Sequence, residues 1–257
     1  MTALRAIPLP ILTDNYVWLL ADAADRVVII DPGIADPVFR AVASGLQPQA
    51  ILITHHHPDH IGGIAELQDA FDLPCYAPAD ARIPHAGERV ADGQRFRIEA
   101  MSLDVDVLAV PGHTRSHVAY LSDDVLFCGD TLFSLGCGRL FEGSAAQMLA
   151  SLDRLAALPG GTRVCCAHEY TLANGRFARI VEPDNAARDA WLAEAGERRA
   201  RGEPSLPSRI GIERQANPFL RVEQAAIVES LTREFGRRPE GREQAFAALR
   251  RWKDVFQ

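Results

Sequence analysis

Four potential metal ligands stand together at the end of an apolar run, and this feature constrains the chain more than any other. The run Ile51-Leu52-Ile53 leads through Thr54 into His55-His56-His57-Pro58-Asp59-His60. A short apolar run of this kind predicts a buried strand, here Ala50–Thr54. The strand would therefore end where a group of imidazoles and a carboxylate begins.

The order of these residues predicts which of them share a face. Alternate side chains of a strand point to the same side, so we expect His55 and His57 to point one way and His56 the other. A proline then ends the strand, and the following turn brings Asp59 and His60 back to the same place. The sequence thus predicts four converging ligands, with His56 outside the group.

The chemistry of this group favours a catalytic metal site. Imidazole nitrogen and carboxylate oxygen suit zinc, and also iron or manganese. Structural zinc sites are closed and usually rich in cysteine, whereas the segment 54–60 contains none. The simplest alternative is a solvated polar turn with hydrogen-bonded histidines, but four such residues would be a costly way to end a buried strand.

Three further candidates also follow predicted strands. Taken singly, each would be an ordinary core histidine or turn aspartate. Their equivalent positions at strand ends favour metal ligation. They are His113 after Leu103–Val110, Asp130 after Val125–Cys128, and His168 after Val164–Ala167.

The pattern of elements changes near residue 168. Before it we predict mostly strands, beginning with a meander over residues 3–31, and three helices, Val38–Ser44, Ile61–Phe71 and Ala145–Ala157. The second of these opens on Gly62-Gly63. After it the periodicity predicts helices at 171–182, 185–201, 223–235 and 240–253, a proline-rich loop at 203–218, and no further strand. We expect an α+β domain at 1–167 and a helical domain at 168–257.

Charge and cysteine content narrow the class of protein. The net charge is −7, and residues 171–257 hold 16 basic against 13 acidic side chains, so the acidic excess lies in the first part. An acidic body argues against a nucleic-acid enzyme. The five cysteines show no CxxC spacing and suit reduced thiols. Reduced thiols lead us to expect a cytoplasmic protein, and we expect a monomer. We expect no membrane attachment, because no apolar run reaches the ~20 residues of a membrane span.

The motifs resemble those of a known family. The pattern His55-x-His57-x-Asp59-His60, with the three later candidates, resembles the dinuclear site of the metallo-β-lactamase superfamily. Other segments resemble the hydroxyacylglutathione hydrolases (glyoxalase II) within it. They are Gly129-Asp130-Thr131-Leu132-Phe133, Gly136-Cys137-Gly138-Arg139, Cys166-Ala167-His168-Glu169-Tyr170-Thr171 and Asn217-Pro218-Phe219-Leu220-Arg221. The resemblance covers nearly the whole chain.

The resemblance implies a four-layer αββα sandwich followed by a C-terminal helical domain. It also implies two divalent metal ions per chain, zinc by preference, with iron or manganese as alternatives. One ion would take His55, His57 and His113, the other Asp59, His60 and His168, with Asp130 bridging. The two carboxylates of this set, Asp59 and Asp130, would be the catalytic ones.

The resemblance further implies a set of glutathione contacts. Tyr170 would contact glutathione, and Arg250 and Lys253 would hold its glycine carboxylate. Lys253 is the only lysine among the 27 basic residues. Arg139 stands where many relatives have lysine, which keeps the charge but changes its geometry. Phe141 stands where some relatives have tyrosine, which removes a hydroxyl donor.

The implied reaction is hydrolysis of S-(2-hydroxyacyl)glutathione, chiefly S-D-lactoylglutathione, to D-lactate and glutathione by a hydroxide bound to both metals. A thiolate leaving group, with a thiol pKa of ~8.5 for cysteine, needs little protonation, so Asp59 would have at most an auxiliary proton role. The alternatives are a mononuclear-iron persulfide dioxygenase, a lactonase, β-lactamase or nuclease on the same metal core, and a non-catalytic glutathione-binding module.

Overall fold

A computed structural model describes residues 4–256 of the chain. The strands are β1 Arg5–Ile11, β2 Asn15–Ala21, β3 Arg26–Ile30, β4 Gln47–Leu52, β5 Cys75–Pro78, β6 Glu88–Val90, β7 Arg95–Ile98, β8 Leu103–Ala109, β9 Val118–Ser122, β10 Val125–Gly129, β11 Leu132–Phe133, β12 Gly136–Cys137, β13 Arg163–Cys166 and β14 Ser208–Arg209. The helices are α1 Asp36–Ala43, α2 Pro58–Ile61, α3 Ile64–Phe71, α4 Ala145–Ala156, α5 Thr171–Val181, α6 Ala186–Ala200, α7 Ile210–Ala216, α8 Ala225–Phe235 and α9 Arg242–Val255. Within this described part, every helix is too short or too polar to cross a membrane.

The described chain forms two compact units that are discontinuous in sequence. The first unit contains the residues up to Ala109, together with Ser116–Gly129 and Cys165–His168. The second contains Val110–Arg115, Asp130–Val164 and the described residues from Glu169 onward. The expected domain boundary between residues 167 and 168 remains a prediction.

Two sheets make up the first unit. One has the strand order β1-β2-β3-β4-β5-β6, in which the predicted meander β1-β2-β3 is antiparallel and the pairs from β3 to β6 are parallel. In the other, β10, β9, β8 and β7 follow one another as antiparallel neighbours, with β13 beside β10. Parallel strands in the middle of a sheet require cover on both faces.

Helices cover one face of the first sheet. Val17 and Leu19 of β2 lie in one apolar cluster with Ile51 of β4, and the same cluster contains Val38 of α1 and Leu67 of α3. All five side chains are almost completely buried. Because alternate residues of a strand share a face, this cluster accounts for only half of each buried strand.

The intervening residues face the second sheet. Trp18 of β2 packs against Phe127 of β10 with ring centroids 6.4 Å apart, and its indole N–H donates to the carbonyl of Cys166 at 2.9 Å. The hydroxyl of Tyr120 on β9 donates to the carbonyl of Ile53 at 2.8 Å. The two sheets therefore enclose a core with aromatic side chains whose polar ends are hydrogen-bonded.

Strand β4 ends earlier than the sequence predicts. It runs from Gln47 to Leu52, so His55 and His57 are not strand residues, and the predicted strand Ala50–Thr54 began three residues too late and ended two residues too late. The physical reason is a side chain. Asp31, directly after β3, accepts a hydrogen bond from the amide of Thr54 at 2.8 Å. In a continuing strand this amide would donate to a carbonyl of the neighbouring strand. Here it donates to the carboxylate of Asp31 instead.

The predicted helix Ile61–Phe71 is divided. Helix α2 contains Asp59 and His60, α3 begins at Ile64, and Gly62-Gly63 separates them. A Cβ on Gly63 would lie 2.7 Å from the amide nitrogen of Ala35, and one on Gly33 would lie 1.9 Å from the carbonyl oxygen of Asp59. Glycine at these positions lets the loop after β3 touch the segment that carries the ligands.

Helices dominate the second unit, as predicted. Helix α4 begins with a capping box, in which Ser144 Oγ accepts from the amide of Gln147 at 3.2 Å and Gln147 Oε1 accepts from the amide of Ser144 at 2.9 Å. The predicted helices after residue 170 correspond to α5, α6, α8 and α9. Strands β11 and β12 form a short hairpin.

One part of the second unit was predicted wrongly. The expected loop 203–218 contains helix α7 and strand β14, and β14 pairs with the first residues of β13. A two-residue strand is too short to show alternation, and a seven-residue helix shows little periodicity. Tertiary contacts therefore determine these two elements.

The close contact of Gly33 with the Asp59 carbonyl gives a stability prediction. Gly33→Ala should lower the free energy of unfolding by about 3 kcal/mol or more, because the added methyl overlaps backbone that cannot rotate away. Gly87→Ala is the matched control, since its Cβ would meet nothing within 4 Å. Chemical denaturation of both variants tests this, and equal stabilities would contradict it.

Candidate functional site

Five of the predicted ligands lie in the first unit, at the ends of its strands. His60 Nε2 lies 3.4 Å and His168 Nε2 lies 3.6 Å from Oδ2 of Asp59. His55 Nε2 lies 3.0 Å from Nδ1 of His57. The donor atoms of Asp59, His60 and His168 fall within 4.8 Å of one another, so these three residues could hold a metal ion.

These separations suit metal coordination. Two donor atoms that each lie about 2.1 Å from a tetrahedral ion are about 3.4 Å apart. The Asp59–His60 and Asp59–His168 distances, 3.4 and 3.6 Å, agree with this value. The donor set is also chemically right, because neutral imidazoles and a carboxylate bind zinc, iron and manganese.

The outer nitrogens of two histidines are held by carboxylates. The Nδ1–H of His168 donates to Oδ1 of Asp14 at 2.8 Å, and the Nδ1–H of His60 donates to Oδ2 of Asp31 at 3.0 Å. Each bond fixes the ring and leaves Nε2 on the side of Asp59. Metal-bound histidines typically have such a partner on the other nitrogen.

A third histidine is oriented through a hydroxyl group. The hydroxyl of Thr54 donates to Oδ2 of Asp31 at 2.7 Å, so its oxygen is available to accept from Nδ1 of His55 at 3.0 Å. His55 and Thr54 are fully buried, and Asp31 is 3% exposed. The chain of hydrogen bonds turns His55 Nε2 toward His57.

Asp31 itself belongs to a group, with His55 and His60, whose donor atoms are close enough to hold an ion. Its oxygens, however, accept from the amide and hydroxyl of Thr54 and from Nδ1 of His60. We therefore interpret Asp31 as the residue that orients the ligands.

Asn15 was not among the sequence candidates. Its side-chain amide donates to Oδ2 of Asp59 at 2.8 Å and lies 3.5 Å from Nε2 of His168. The backbone of Asn15 forms a β-bridge with His168, and the amide of Tyr16 donates to the carbonyl of Ala167 at 2.8 Å. The start of β2 thus fixes the position of His168.

The second unit holds the other two predicted ligands, His113 and Asp130. Nε2 of His113 lies 3.3 Å from Oδ2 of Asp130, and its Nδ1–H donates to the carbonyl of Arg139 at 2.9 Å. A Cβ on Gly138 would lie 1.9 Å from the carbonyl oxygen of Asp130. His113 therefore has the same arrangement as His60 and His168, with a backbone carbonyl in place of the carboxylate.

A group of cations surrounds Lys253 in the second unit. Burial lowers the pKa of Lys253, and the charges of Arg250, Arg139 and Arg176 lower it further, while Asp254 opposes them. The ammonium lies 5.6 Å from the ring centre of Phe177 and 5.6 Å from that of Phe256. Burial is the larger cause, and the three neighbouring guanidinium groups concentrate positive charge here, which favours an anion. We call Arg139, Arg176, Arg250 and Lys253 the cation cluster.

Arg250 is the buried member of this cluster, at 5% exposure. One NH₂ group donates to the carbonyl of Cys137 at 2.6 Å, and the other lies 3.1 Å from Oδ1 of Asp254. The guanidinium lies 5.1 Å over the ring of Phe219. Its Nε–H has no acceptor among the described residues. Arg250 therefore links helix α9 to strand β12.

The two aromatic candidates also lie in the second unit. The ring of Tyr170 packs edge-on against Phe133 at 5.2 Å, and the ring of Phe141 packs edge-on against His113 at 5.2 Å. Phe141 is 62% exposed, unusual for a large apolar side chain. An exposed ring beside a ligand could contact the apolar part of a substrate.

The remaining histidines are not in the ligand groups. His56 Nδ1 lies 3.5 Å from Asp80, which is bound to Arg82 and Ser116, and hydrogen bonding to Arg82 lowers the pKa of Asp80 well below its usual range. His117 stacks on His55 at 4.6 Å. His56 therefore lies outside the groups of possible metal ligands, although its ring centroid is 4.8 Å from that of His57.

Sequence reasoning missed the residues that orient the ligands. Asp14 lies in the turn between β1 and β2, Asn15 begins β2, and Asp31 directly follows β3 in an Asp-Pro-Gly segment that predicts a turn. The usable signal was the polar residue at each strand end, because strands of one sheet bring their ends together.

The chain matches two family models. The metallo-beta-lactamase superfamily model matches residues 12–168, and the hydroxyacylglutathione hydrolase C-terminus model matches residues 169–256. The chain is 50% identical over 255 residues to the hydroxyacylglutathione hydrolase of Xanthomonas euvesicatoria pv. vesicatoria (strain 85-10), an alignment that covers 98% of this chain and 99% of that protein.

Two solved structures are similar over most of the chain. The crystal structure of ETHE1 from Myxococcus xanthus has a TM-score of 0.64 and 25% identity, and covers 96% of this chain and 98% of that one. The crystal structure of TTHA1623 in a di-iron-bound form has a TM-score of 0.59 and 27% identity, and covers 84% of this chain and 100% of that one.

The fold is that of the metallo-β-lactamase superfamily, with a C-terminal helical domain, as the sequence predicted. Its clusters of histidine and aspartate are those of a site for a divalent metal pair. Within the superfamily, the chain belongs to the hydroxyacylglutathione hydrolase family.

The bond between Asp14 and His168 gives a metal-binding prediction. Asp14→Ala should weaken zinc binding by about 10-fold to 100-fold, because His168 loses the acceptor that fixes its ring. The side chain of Asp14 is 33% exposed, so the variant should fold. Competition with a chromophoric chelator measures the affinity.

His56→Ala is the control for that experiment, because His56 faces Asp80. It should keep the zinc affinity of the unaltered chain. Unchanged affinity in Asp14→Ala would contradict the orienting role, and metal loss in His56→Ala would show that His56 is a ligand.

Proposed function

We propose that this protein is a thioester hydrolase that cleaves S-(2-hydroxyacyl)glutathione, chiefly S-D-lactoylglutathione, to D-lactate and glutathione. The observation that carries the proposal is the cation cluster around Lys253, in a chain that also has the oriented metal ligands. A glutathione thioester carries two carboxylates far from the reacting carbonyl, and a cation cluster suits them. The relative from Xanthomonas is named for this activity.

We propose two metal ions per chain. One ion would take His55, His57 and His113, the other Asp59, His60 and His168, with Asp130 between them. All of these residues fall within 12–168, the range matched by the superfamily model, and the similar TTHA1623 was solved with two irons. Zinc is our first choice, with iron or manganese as alternatives, since these ligands accept all three.

The metal pair, when bound, supplies a polarised carbonyl and a water of lowered pKa at neutral pH. The protein residues have separate tasks. Asp14, Asp31 and Thr54 hold the histidine rings so that the ligand nitrogens stay in place without reorganisation. Asn15 donates to Asp59 and keeps its carboxylate directed at the histidines.

The leaving group explains why no separate acid is needed. The thiol of glutathione is a cysteine thiol with a pKa of about 8.5, so its thiolate leaves without full protonation. Asp59 accepts a hydrogen bond from Asn15 and faces two histidines, so we assign it as a ligand with at most an auxiliary proton role. Asp130 would be the carboxylate that both ions share.

We propose that the far end of glutathione binds at the cation cluster. Lys253 and Arg139 supply accessible charge, and Arg250 supports them from the buried side through Cys137 and Asp254. Tyr170 and Phe141 would line the path of the substrate, with the exposed ring of Phe141 as an apolar contact. The replacement of lysine by Arg139 keeps the charge of this site.

A persulfide dioxygenase with one iron and a lactonase remain the alternative activities. The cation cluster argues against the lactonase, whose substrate has no glutathione carboxylates, whereas glutathione persulfide carries the same two carboxylates as the thioester. Oxygen consumption with glutathione persulfide would identify the first, and turnover of a lactone without glutathione would identify the second.

We also propose that the protein works as a cytoplasmic monomer. The five cysteines, which are buried and free of disulfides, support the proposed compartment.

The proposed function predicts a defined metal content. Active protein should contain two equivalents of metal per chain and hydrolyse S-D-lactoylglutathione, and removal of the metal with a chelator should abolish turnover. Asp130→Ala removes a ligand from both ions, so it should lose activity and metal together. Elemental analysis and a thioester assay measure both, and a fully active preparation with one equivalent would refute the dinuclear site.

The cation cluster predicts the behaviour of Lys253. Lys253→Ala should raise KM for S-D-lactoylglutathione about tenfold to a hundredfold, since a charge-assisted hydrogen bond contributes roughly 1.5–3 kcal/mol. The value of kcat and the metal content should stay unchanged, because the contact is equal in ground and transition states. Arg250→Ala is a poorer probe, because it also removes a buried donor from Cys137.

Arg251→Ala is the matched control for this substitution. Arg251 lies on the same helix, but its guanidinium sits 5.9 Å over the ring of Phe235, on the side of α8. Its loss should leave KM unchanged. If Lys253→Ala and Arg251→Ala gave the same KM, the far end of glutathione would have to bind outside the cation cluster.

The lowered pKa of Lys253 predicts how KM depends on pH. The ammonium loses its proton above a pKa that lies below the usual 10.5, and the cation cluster then loses a positive charge. KM should therefore rise with pH in the alkaline range. Lys253→Arg keeps its charge at these pH values, so its KM should stay level. Parallel rises in both proteins would exclude Lys253 as the titrating group.

A further inference from the structure

The turn between β11 and β12 in the second unit is unusually well held. It consists of Phe133, Ser134, Leu135 and Gly136, and Leu135 is completely buried with a φ of 58°. This left-handed conformation is rare for a large side chain, and it persists only where surrounding contacts enforce it.

Side chains from α5, from α6 and from the residue after α7 hold this turn, through its backbone carbonyls and through the hydroxyl of Ser134. The amide group of Asn217, just after α7, donates to the carbonyls of Phe133 and Gly136, both at 3.0 Å. Asn174 of α5 donates to the carbonyl of Ser134 at 3.1 Å. The indole N–H of Trp191 on α6 donates to the hydroxyl of the same serine at 2.8 Å.

Glu213 of α7 is at the centre of these contacts. Its Oε2 accepts from the amide of Leu135 at 2.8 Å and from Asn217 at 3.0 Å, and its Oε1 accepts from the hydroxyl of Ser208. The side chain is completely buried, and burial raises its pKa. A buried carboxylate costs roughly several kcal/mol in desolvation, so stability alone gives little reason to keep it.

The two arms of the hairpin lead directly to the proposed site. Asp130 precedes β11 and Arg139 follows β12, and the amide of Gly138 donates to the carbonyl of Thr131 at 3.1 Å between them. The carbonyl of Arg139 orients His113. The carbonyl of Cys137, in β12, accepts from Arg250 of the cation cluster. One hairpin thus connects two proposed metal ligands with the cation cluster.

We infer that Glu213 is a positioning residue, which holds the β11–β12 turn so that Asp130 and His113 keep the geometry needed for metal binding. The inference rests on the proposed function for the identity of the site. It assigns the helical C-terminal part a role in metal binding as well as in substrate binding. The carboxylate acts through the backbone of Leu135 and through Asn217, and it does not contact the metal ligands itself.

The test compares Glu213→Gln with Glu182→Gln. Glutamine keeps the size of the side chain but removes its charge and one acceptor oxygen. If the amide oxygen takes the place of Oε2, Ser208 loses its acceptor, and if it takes the place of Oε1, Leu135 and Asn217 lose theirs. Glu182 is the matched control, because it is a buried carboxylate of the same unit that binds Arg221 at 2.6 Å and Asn185 at 2.8 Å. Thermal unfolding of both variants shows how much stability each has lost.

The deciding measurements are metal affinity, by chelator competition, and the visible spectrum of the Co²⁺-substituted protein. Glu213→Gln should bind the metal about 10-fold to 100-fold more weakly and show an altered cobalt spectrum. Glu182→Gln should keep both properties. Equal affinities and spectra in the two variants would overturn the inference. If the unaltered chain failed to bind two metal ions, the proposed function itself would fall.

A second variant keeps the test decisive if Glu213→Gln does not fold. Asn174→Ala removes the hydrogen bond from Asn174 to the Ser134 carbonyl and leaves Glu213 in place. It should shift the cobalt spectrum in the same direction, by a smaller amount. A folded Asn174→Ala protein with an unchanged spectrum would show that the turn does not position the ligands.

Discussion

The carboxylate of Asp31 is the interaction on which the metal-ligand segment of the first unit depends. One oxygen accepts from the amide of Thr54, and the other accepts from the Thr54 hydroxyl and from His60. The same group therefore ends strand β4, orients His60 directly and orients His55 through Thr54. Asp31 is 3% exposed, so water competes little for these bonds. The buried carboxylate of Asp31 thus orients two of the predicted ligands, His55 and His60, at the end of the sheet.

The same principle recurs in both units with different partners. Asp14 fixes His168 in the first unit, and the carbonyl of Arg139 fixes His113 in the second. In each case Nδ1 is bound to an acceptor and Nε2 is left for the ligand side. The arrangement is enforced by backbone that glycine allows to approach closely, at Gly33 in one unit and Gly138 in the other. The rings are therefore oriented by the fold before any metal binds.

Much of this could be predicted from the sequence, for identifiable reasons. Long periodic segments such as α6 and α9 were predicted well, because many residues contribute to the pattern. Strand β14 and helix α7 were missed, because they are short and depend on pairing with β13 and on the contacts of Glu213. Strand alternation predicted that His56 points away from His55 and His57, but β4 ends at Leu52, before these residues. The neighbouring carboxylate of Asp80 and the hydrogen bond of Thr54 to His55 are tertiary contacts that the alternation could not show.

The sequence by itself determined the class of fold, the family and the candidate ligands. Side-chain chemistry and spacing are local properties, so His55-x-His57-x-Asp59-His60 can be recognised without coordinates. Only the tertiary structure decided which residues orient the ligands. Asp14, Asp31 and Glu213 are 154, 29 and 78 positions from their partners His168, His60 and Leu135. Hydrogen bonds over such separations leave no periodic pattern in the chain, because they exist only after the sheets and helices have packed.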